Sequence, residues 1–167
     1  PLPRHPGADR AQLVTWAEAF AYLGRHEGKQ DILEPLPQGG PILKRCQDLA
    51  RELRCELLLG GFHEAVIDDP QRCYNTSVYL DKDGSVVATY RKIHLFDVNI
   101  VDGPRLMESR QAAAGDRAVT TQTAFGTLGL TICYDLRFPS LYQHLTDLGA
   151  IAPVSYTHLT LPTSQLV

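Results

Sequence analysis

A layered α/β fold is predicted by three features of this sequence. Two pairs of strand-like segments are each joined by a short turn sequence. A segment of helical period lies between an apolar strand-like run and the first of those pairs. A second helical segment follows the last strand directly. Strands that pair with one another and also alternate with helices build layers around shared apolar faces.

The elements follow in order. Residues 11–16, AQLVTW, are a short apolar run and predict a strand that ends just before Glu18. The polar stretch over 24–40 is rich in Gly and Pro and predicts a loop. Pro41 stands where a helix can begin, with Ile42, Cys46, Leu49, Ala50 and Leu53 at helical spacing up to Arg54. CELLLGGF, 55–62, predicts a buried strand ended by its glycines. YNTSVYL and SVVATYRK flank DKDG, in which Asp83-Gly84 supplies the positive φ a hairpin turn needs. Residues 95–116 show neither period and predict a long loop, a common home for binding residues. A second hairpin brings GLTI to Cys133, and Pro139 and Gly149 bracket a short helix through Leu141, Leu145 and Leu148. There is no internal repeat.

Composition narrows the function. With 44% hydrophobic and 21% charged residues the chain can bury a core, which excludes wholesale disorder. A net charge of −3 gives no electrostatic reason to bind nucleic acid or an anionic membrane. No apolar run approaches the roughly 18 residues that span a bilayer. PLPRHPGADR has no apolar core and is not a signal peptide; it also lacks an initiating Met, so a fragment of a longer protein is expected. Cys46, Cys55, Cys73 and Cys133 form no CxxC pair, and a reduced cytoplasmic setting without disulfides follows.

Cys133 ends an apolar run and is followed at once by YDLRFP, a pattern that presents a thiol at a strand-to-helix turn. A reactive thiol needs a basic or cationic neighbour, because free cysteine titrates near pH 8.5. Glu18, Lys92 and Glu108 each lie where a strand gives way to a loop, and such ends gather at one edge of an α/β sheet. Asp135 and Arg137 are expected to satisfy the turn's backbone. His63 and His94 with Cys73 or Cys133 lack metal-ligand spacing, so no metal is expected, and His94 is expected to order the lysine loop. Cys46, Cys55 and Cys73 are expected to be packing residues, and Trp16 and Phe20 core residues.

YRKIHLFDV around Lys92 and GLTICYDLRFP around Cys133 resemble the lysine and cysteine motifs of the nitrilase superfamily, the carbon–nitrogen hydrolases. LVTWAEAF around Glu18 resembles the family's glutamate motif. The similarity runs from Gly7 to about Ala152. GGPILKRCQDLARELRCELLLGGFHE and the YNTSVYL hairpin resemble the Nit1-like branch, the deaminated glutathione amidases. The resemblance implies part of an α-β-β-α sandwich that assembles into a homodimer or higher homo-oligomer. It also implies cleavage of a small-molecule amide to a carboxylic acid and ammonia through a thioester on Cys133, with no metal or organic cofactor. Glu18 is then the base, Lys92 and the backbone N–H of Tyr134 hold the oxyanion, and Glu108 holds Lys92. An ω-amidase or an N-carbamoyl hydrolase would use the same residues, and a non-catalytic binding relative is the rival from another class. One departure stands out: Ala17 replaces the family's proline before the glutamate, which frees φ and restores an N–H. Glu18 is therefore expected to be less rigidly aimed.

The tail differs in kind. VSYTHLTLPT, 154–163, has no strand or helix pattern, and its back-translation resembles a transposase sequencing adapter. Residues 1–152 are expected to be the N-terminal part of one hydrolase domain and 153–167 a non-native tail. The 167 residues alone are expected to be inactive.

Overall fold

A computed structural model describes residues 11–99 and 105–156. The first strand, β1 (Leu13–Trp16), lies where it was expected. A short helix, α1 (His26–Gln30), interrupts the expected loop; HEGKQ has no apolar stripe to announce it. The next helix, α2 (Pro41–Leu53), begins at Pro41 as expected, and Arg54, at φ 51, ends it. No local side chain caps α2. Instead the distant Glu34 carboxylate accepts the N–H groups of Gly40, Ile42 and Leu43 at 2.7, 2.6 and 3.0 Å. A carboxylate at this end also complements the helix dipole. The buried stripe is Leu43, Cys46 and Ala50, whereas Leu53 in the last turn is 54% exposed.

The strand predicted to stop at its glycines continues: β2 runs Glu56–Ala65. Gly60-Gly61 is a bulge inside the strand, where the register against the next strand shifts. That partner, β3 (Cys73–Leu80), pairs antiparallel with β2 and with β4 (Val86–Arg91), while β1 pairs parallel with β2. Gly84, at φ 76, makes the β3–β4 turn.

The stretch 95–116 is not one loop. It holds an antiparallel ribbon of β5 (Asp97–Asn99) and β6 (Arg105–Met107), a 3₁₀ turn Glu108–Arg110, and β7 (Ala112–Ala113). Strands of two or three residues are too short to display a period of two, so sequence pattern passes over them. β7 has a specific task. β4 accompanies β3 only as far as the Thr76–Arg91 pair, and β7 takes over alongside Cys73 and Tyr74. Between them Lys92 N–H donates to Asn75 O at 2.8 Å, and the chain leaves the sheet.

A second sheet has the order β10-β9-β8, with β8 (Thr120–Thr123) antiparallel and β10 (Ala152–Tyr156) parallel to β9 (Gly126–Ile132). Helix α3 (Pro139–Asp147) connects β9 to β10 and buries Leu141 and Leu145; Leu148 is exposed. β10 contradicts the expectation that no strand forms after residue 152, since Ala152–Tyr156 pairs continuously with Leu128–Ile132. Backbone pairing asks little of side-chain pattern, which is why it was missed. Residues 157–167 lie outside the described residues.

Alternation along β2 builds the layers. Leu57 and Leu59 join Leu43, Cys46, Ala50 and Val78 beneath α2, with Trp16 and Phe20 packed at the margin. Leu58 points the other way and joins Tyr79, Tyr90, Leu130 and Ile132 between the sheets. On the far face of β9, Gly129 approaches Leu145, and Thr131 Oγ1 lies 3.1 Å from the Tyr142 hydroxyl of α3. The order is helix, sheet, sheet, helix: the expected α-β-β-α arrangement. Each fully buried Leu or Ile in these layers contributes about 1.5–3 kcal/mol. No helix among the described residues is long and apolar enough to cross a membrane.

Candidate active site

A cavity of about 640 Å³ opens where several strands end, and Glu18, Lys92, Glu108 and Cys133 all line it. They arrive from the end of β1, the end of β4, the 3₁₀ turn after β6 and the end of β9. Tyr134 follows in the first turn of a 3₁₀ segment, Cys133–Arg137. The structure thus brings Glu18, Lys92, Glu108 and Cys133 together, with Tyr134 next to Cys133 in sequence, and places Asn75 and His63 on the same wall.

Lys92 is 2% exposed and sits between two carboxylates. Its Nζ lies 2.9 and 3.1 Å from the oxygens of Glu108 and 3.3 Å from Glu18 Oε1. Burial is the largest influence on its proton affinity and pushes it down. The charges of Glu18 and Glu108 and the hydrogen bond to Glu108 outweigh it, so the ammonium ends above its ordinary value. Glu18 Oε1 also accepts Asn75 Nδ2–H at 2.8 Å, and Glu108 Oε2 accepts the Phe96 N–H at 2.6 Å. Glu18 is therefore aimed by tertiary contacts, although Ala17 precedes it in place of a proline.

Cys133 adopts φ 47, a left-handed conformation that costs a non-glycine residue about 1–2 kcal/mol. Strain of this kind collects at functional turns. Asp135, fully buried, holds the turn together: its Oδ2 accepts the Ile132 N–H at 2.9 Å and the Tyr90 hydroxyl at 2.7 Å. Its Oδ1 accepts the His94 N–H at 3.1 Å and lies 2.7 Å from His94 Nδ1. One carboxylate thus clamps the lysine loop onto the cysteine turn, so Asp135 and His94 have the structural duties expected of them. Rings reinforce the clamp. Phe138 stacks on His94 at 3.6 Å between centroids, and Tyr134 meets Phe96 edge-on at 4.9 Å.

The remaining thiols differ from Cys133. Cys46, Cys55 and Cys73 are buried and Cys133 is partly exposed. Burial, helped by Glu34, pushes the Cys46 thiol up to about 11, and burial likewise raises Cys73. A thiol raised in this way is a poor nucleophile, even though Cys73 reaches the cavity. Among the described residues no group of three His, Cys, Asp or Glu side chains is placed to hold a metal ion.

Asn75 and Gly61 escaped sequence reasoning, and His63 was weighed there only as a metal ligand. An asparagine inside a strand-forming run was the available signal, since strands disfavour it. Gly61 adopts φ 91, and a Cβ there would stand 2.7 Å from Ala19 N, 3.0 Å from Glu18 Cα and 2.9 Å from Asn75 Oδ1. The bulge exists to let the Glu18 backbone lie against β2. Gly61→Ala is expected to cost about 1–3 kcal/mol in chemical denaturation. In the full-length protein, a displacement of Glu18 by about an ångström should also lower any turnover that uses this carboxylate roughly 100-fold. Unchanged turnover would mean that Glu18 does not depend on this contact.

Burial, with some help from Lys29 and against the pull of Glu18, lowers the His63 imidazole from 6.5 to about 4. A depressed value in the folded state means stability present above pH 6.5 and lost as pH falls toward 4. The loss amounts to about 3 kcal/mol. Urea melts across that window should show His63→Gln with a shallower decline than the parent protein; equal slopes would place the titration elsewhere.

A thiol, a lysine and two carboxylates thus line one cavity of a four-layered α/β sandwich, as the resemblance to the carbon–nitrogen hydrolases led us to expect. The sequence profile described as Carbon-nitrogen hydrolase matches residues 4–155, and the chain belongs to that family. It is 42% identical over 147 residues to the deaminated glutathione amidase of Dictyostelium discoideum, covering 85% of this chain and 50% of that protein. The Homo sapiens protein of the same name is also 42% identical, over 144 residues, covering 84% of this chain and 43% of that one. The crystal structure of the C. elegans NitFhit protein superposes with a TM-score of 0.83 at 33% identity, covering 93% of this chain and 38% of that chain. The chain spans about half the length of the curated relatives it matches.

Proposed function

We propose that the protein carrying this chain hydrolyses a small-molecule amide to a carboxylic acid and ammonia, with a preference like that of the deaminated glutathione amidases. The observation that carries this reading is the buried Lys92 ammonium paired with Glu18 and Glu108 at the cavity that Cys133 lines. Glu18 takes the Cys133 proton as sulfur attacks the carbonyl carbon. Lys92 and the Tyr134 N–H hold the resulting oxyanion, donors worth about 3–4 kcal/mol each in such transition states. Collapse breaks the C–N bond, and Glu18 returns the proton to the departing ammonia. Water, deprotonated by Glu18, then attacks the thioester and releases the acid and the thiol. Glu108 keeps Lys92 charged and in place.

The balance of charge at the cavity supports an anionic substrate. Both carboxylates there are bound to Lys92, while Lys29, Arg105 and Arg110 also line the wall. A reduced cytoplasmic setting accords with four free cysteines. Homodimeric or higher assembly of the full-length protein, and a non-native origin of residues 153–167, belong to the same proposal; recovery of the complete gene with the 153–167 peptide inside it would refute the latter.

In the full-length protein, iodoacetamide is expected to label Cys133 faster than Cys46, Cys55 or Cys73, and deaminated glutathione to be cleaved in preference to α-ketoglutaramate. Equal labelling of all four thiols and no cleavage of either amide would point to a non-catalytic binding relative.

A further inference from the structure

His63 has no duty in the fold that its side chain explains. It lines the cavity wall, is 8% exposed, and its Nδ1 is buried without a hydrogen-bond partner. Only its backbone is engaged, with the His63 carbonyl accepting the Glu34 N–H at 3.3 Å. Buried imidazoles are ordinarily partnered on at least one ring nitrogen. In β2 it stands directly opposite Asn75 of β3, the residue that holds Glu18. Glu18 of the reaction centre and the cationic Lys29 line the same cavity as His63.

We propose that His63 is a specificity residue, whose Nε2–H donates a hydrogen bond to a carbonyl or carboxylate oxygen in the acyl part of the substrate. The tautomer follows from the packing. A sealed nitrogen with no acceptor beside it is less costly as a lone pair than as an N–H, so the proton resides on Nε2, the nitrogen a cavity ligand can meet. Burial keeps the ring uncharged, with the imidazole lowered to about 4. A neutral donor selects an oxygen acceptor without competing with Lys92 for Glu18. This inference rests on the hydrolase reading above and adds to it the group that reads the acyl chain.

The test uses the full-length protein bearing Cys133→Ala, so that amides bind without being cleaved. The probes are succinamate, a four-carbon amide ending in a carboxylate, and butyramide, which lacks that acceptor. Succinamate is expected to shift the Nε2 resonance of His63 in ¹⁵N-imidazole spectra. His63→Leu should weaken succinamate binding about tenfold by calorimetry and change butyramide binding less than about twofold. His63→Gln, which keeps an N–H donor, should recover much of the loss and remains informative should the leucine variant unfold. No succinamate binding, or binding with an unmoved Nε2 resonance, would overturn the proposal, as would equal losses for both amides. Failure of the hydrolase reading itself would show separately, in unselective alkylation of Cys133 in the unsubstituted protein.

Discussion

Replacing Cys133 with alanine is expected to lower amide turnover of the full-length protein by about 10⁴-fold or more, with a thermal midpoint that moves by only a few degrees. Loss of a covalent nucleophile removes the thioester path altogether, and what survives is binding and oxyanion stabilisation. The fold should tolerate the change because Cys133 is partly exposed and the turn around it is held by Asp135. Glycine at the same position tests the strain separately. At φ 47 a residue without Cβ avoids a cost that any other side chain bears, so Cys133→Gly should be more stable than Cys133→Ala by about 1 kcal/mol. An inactive variant that is more stable would show that the nucleophile is presented at the expense of the fold. Residual turnover of the alanine variant within tenfold of the parent would exclude Cys133 as nucleophile.

Lys92→Met should unfold the protein most readily among conservative changes at the site. Removing one partner of a buried ion pair leaves uncompensated charge and typically costs 3–5 kcal/mol. Here two carboxylates, Glu18 and Glu108, would be left facing each other. Neutralising them should restore stability: Lys92→Met combined with Glu18→Gln and Glu108→Gln is expected to recover most of the loss in urea denaturation. Additive losses across that cycle would mean the three groups are not energetically coupled. The pH dependence has a definite sign. Lys92 is raised above its ordinary value of 10.5, so its contribution is complete below that pH and lost as pH climbs beyond it. The methionine variant should lack that alkaline loss.

Much of the site was legible because its chemistry is written in short contiguous strings. Lys92 and Cys133 sit in motifs whose residues serve one another: His94 and Asp135, two positions from each, form the clamp between them. Asn75 and Gly61 were not legible, since each matters through a residue far away in the chain. Asn75 holds Glu18 across the sheet, and Gly61 leaves room for its backbone. The same holds for Glu34, which caps α2 from outside it. The ribbon of β5 and β6 and the strand β10 were missed for a different reason: backbone pairing stabilises them with little demand on side-chain pattern.

The amino-acid order alone determined the layered class, the two hairpins and the helix from Pro41, because apolar period and turn chemistry are local properties, and its resemblance to family motifs singled out Cys133, Lys92, Glu18 and Glu108. Only the three-dimensional packing decided that Glu18 and Glu108 share one ammonium, that the glycine pair is a bulge, and that His63 lines the cavity with its Nδ1 unpartnered. Burial and long-range hydrogen bonding depend on which strands become neighbours, and no stretch of chain carries that information by itself.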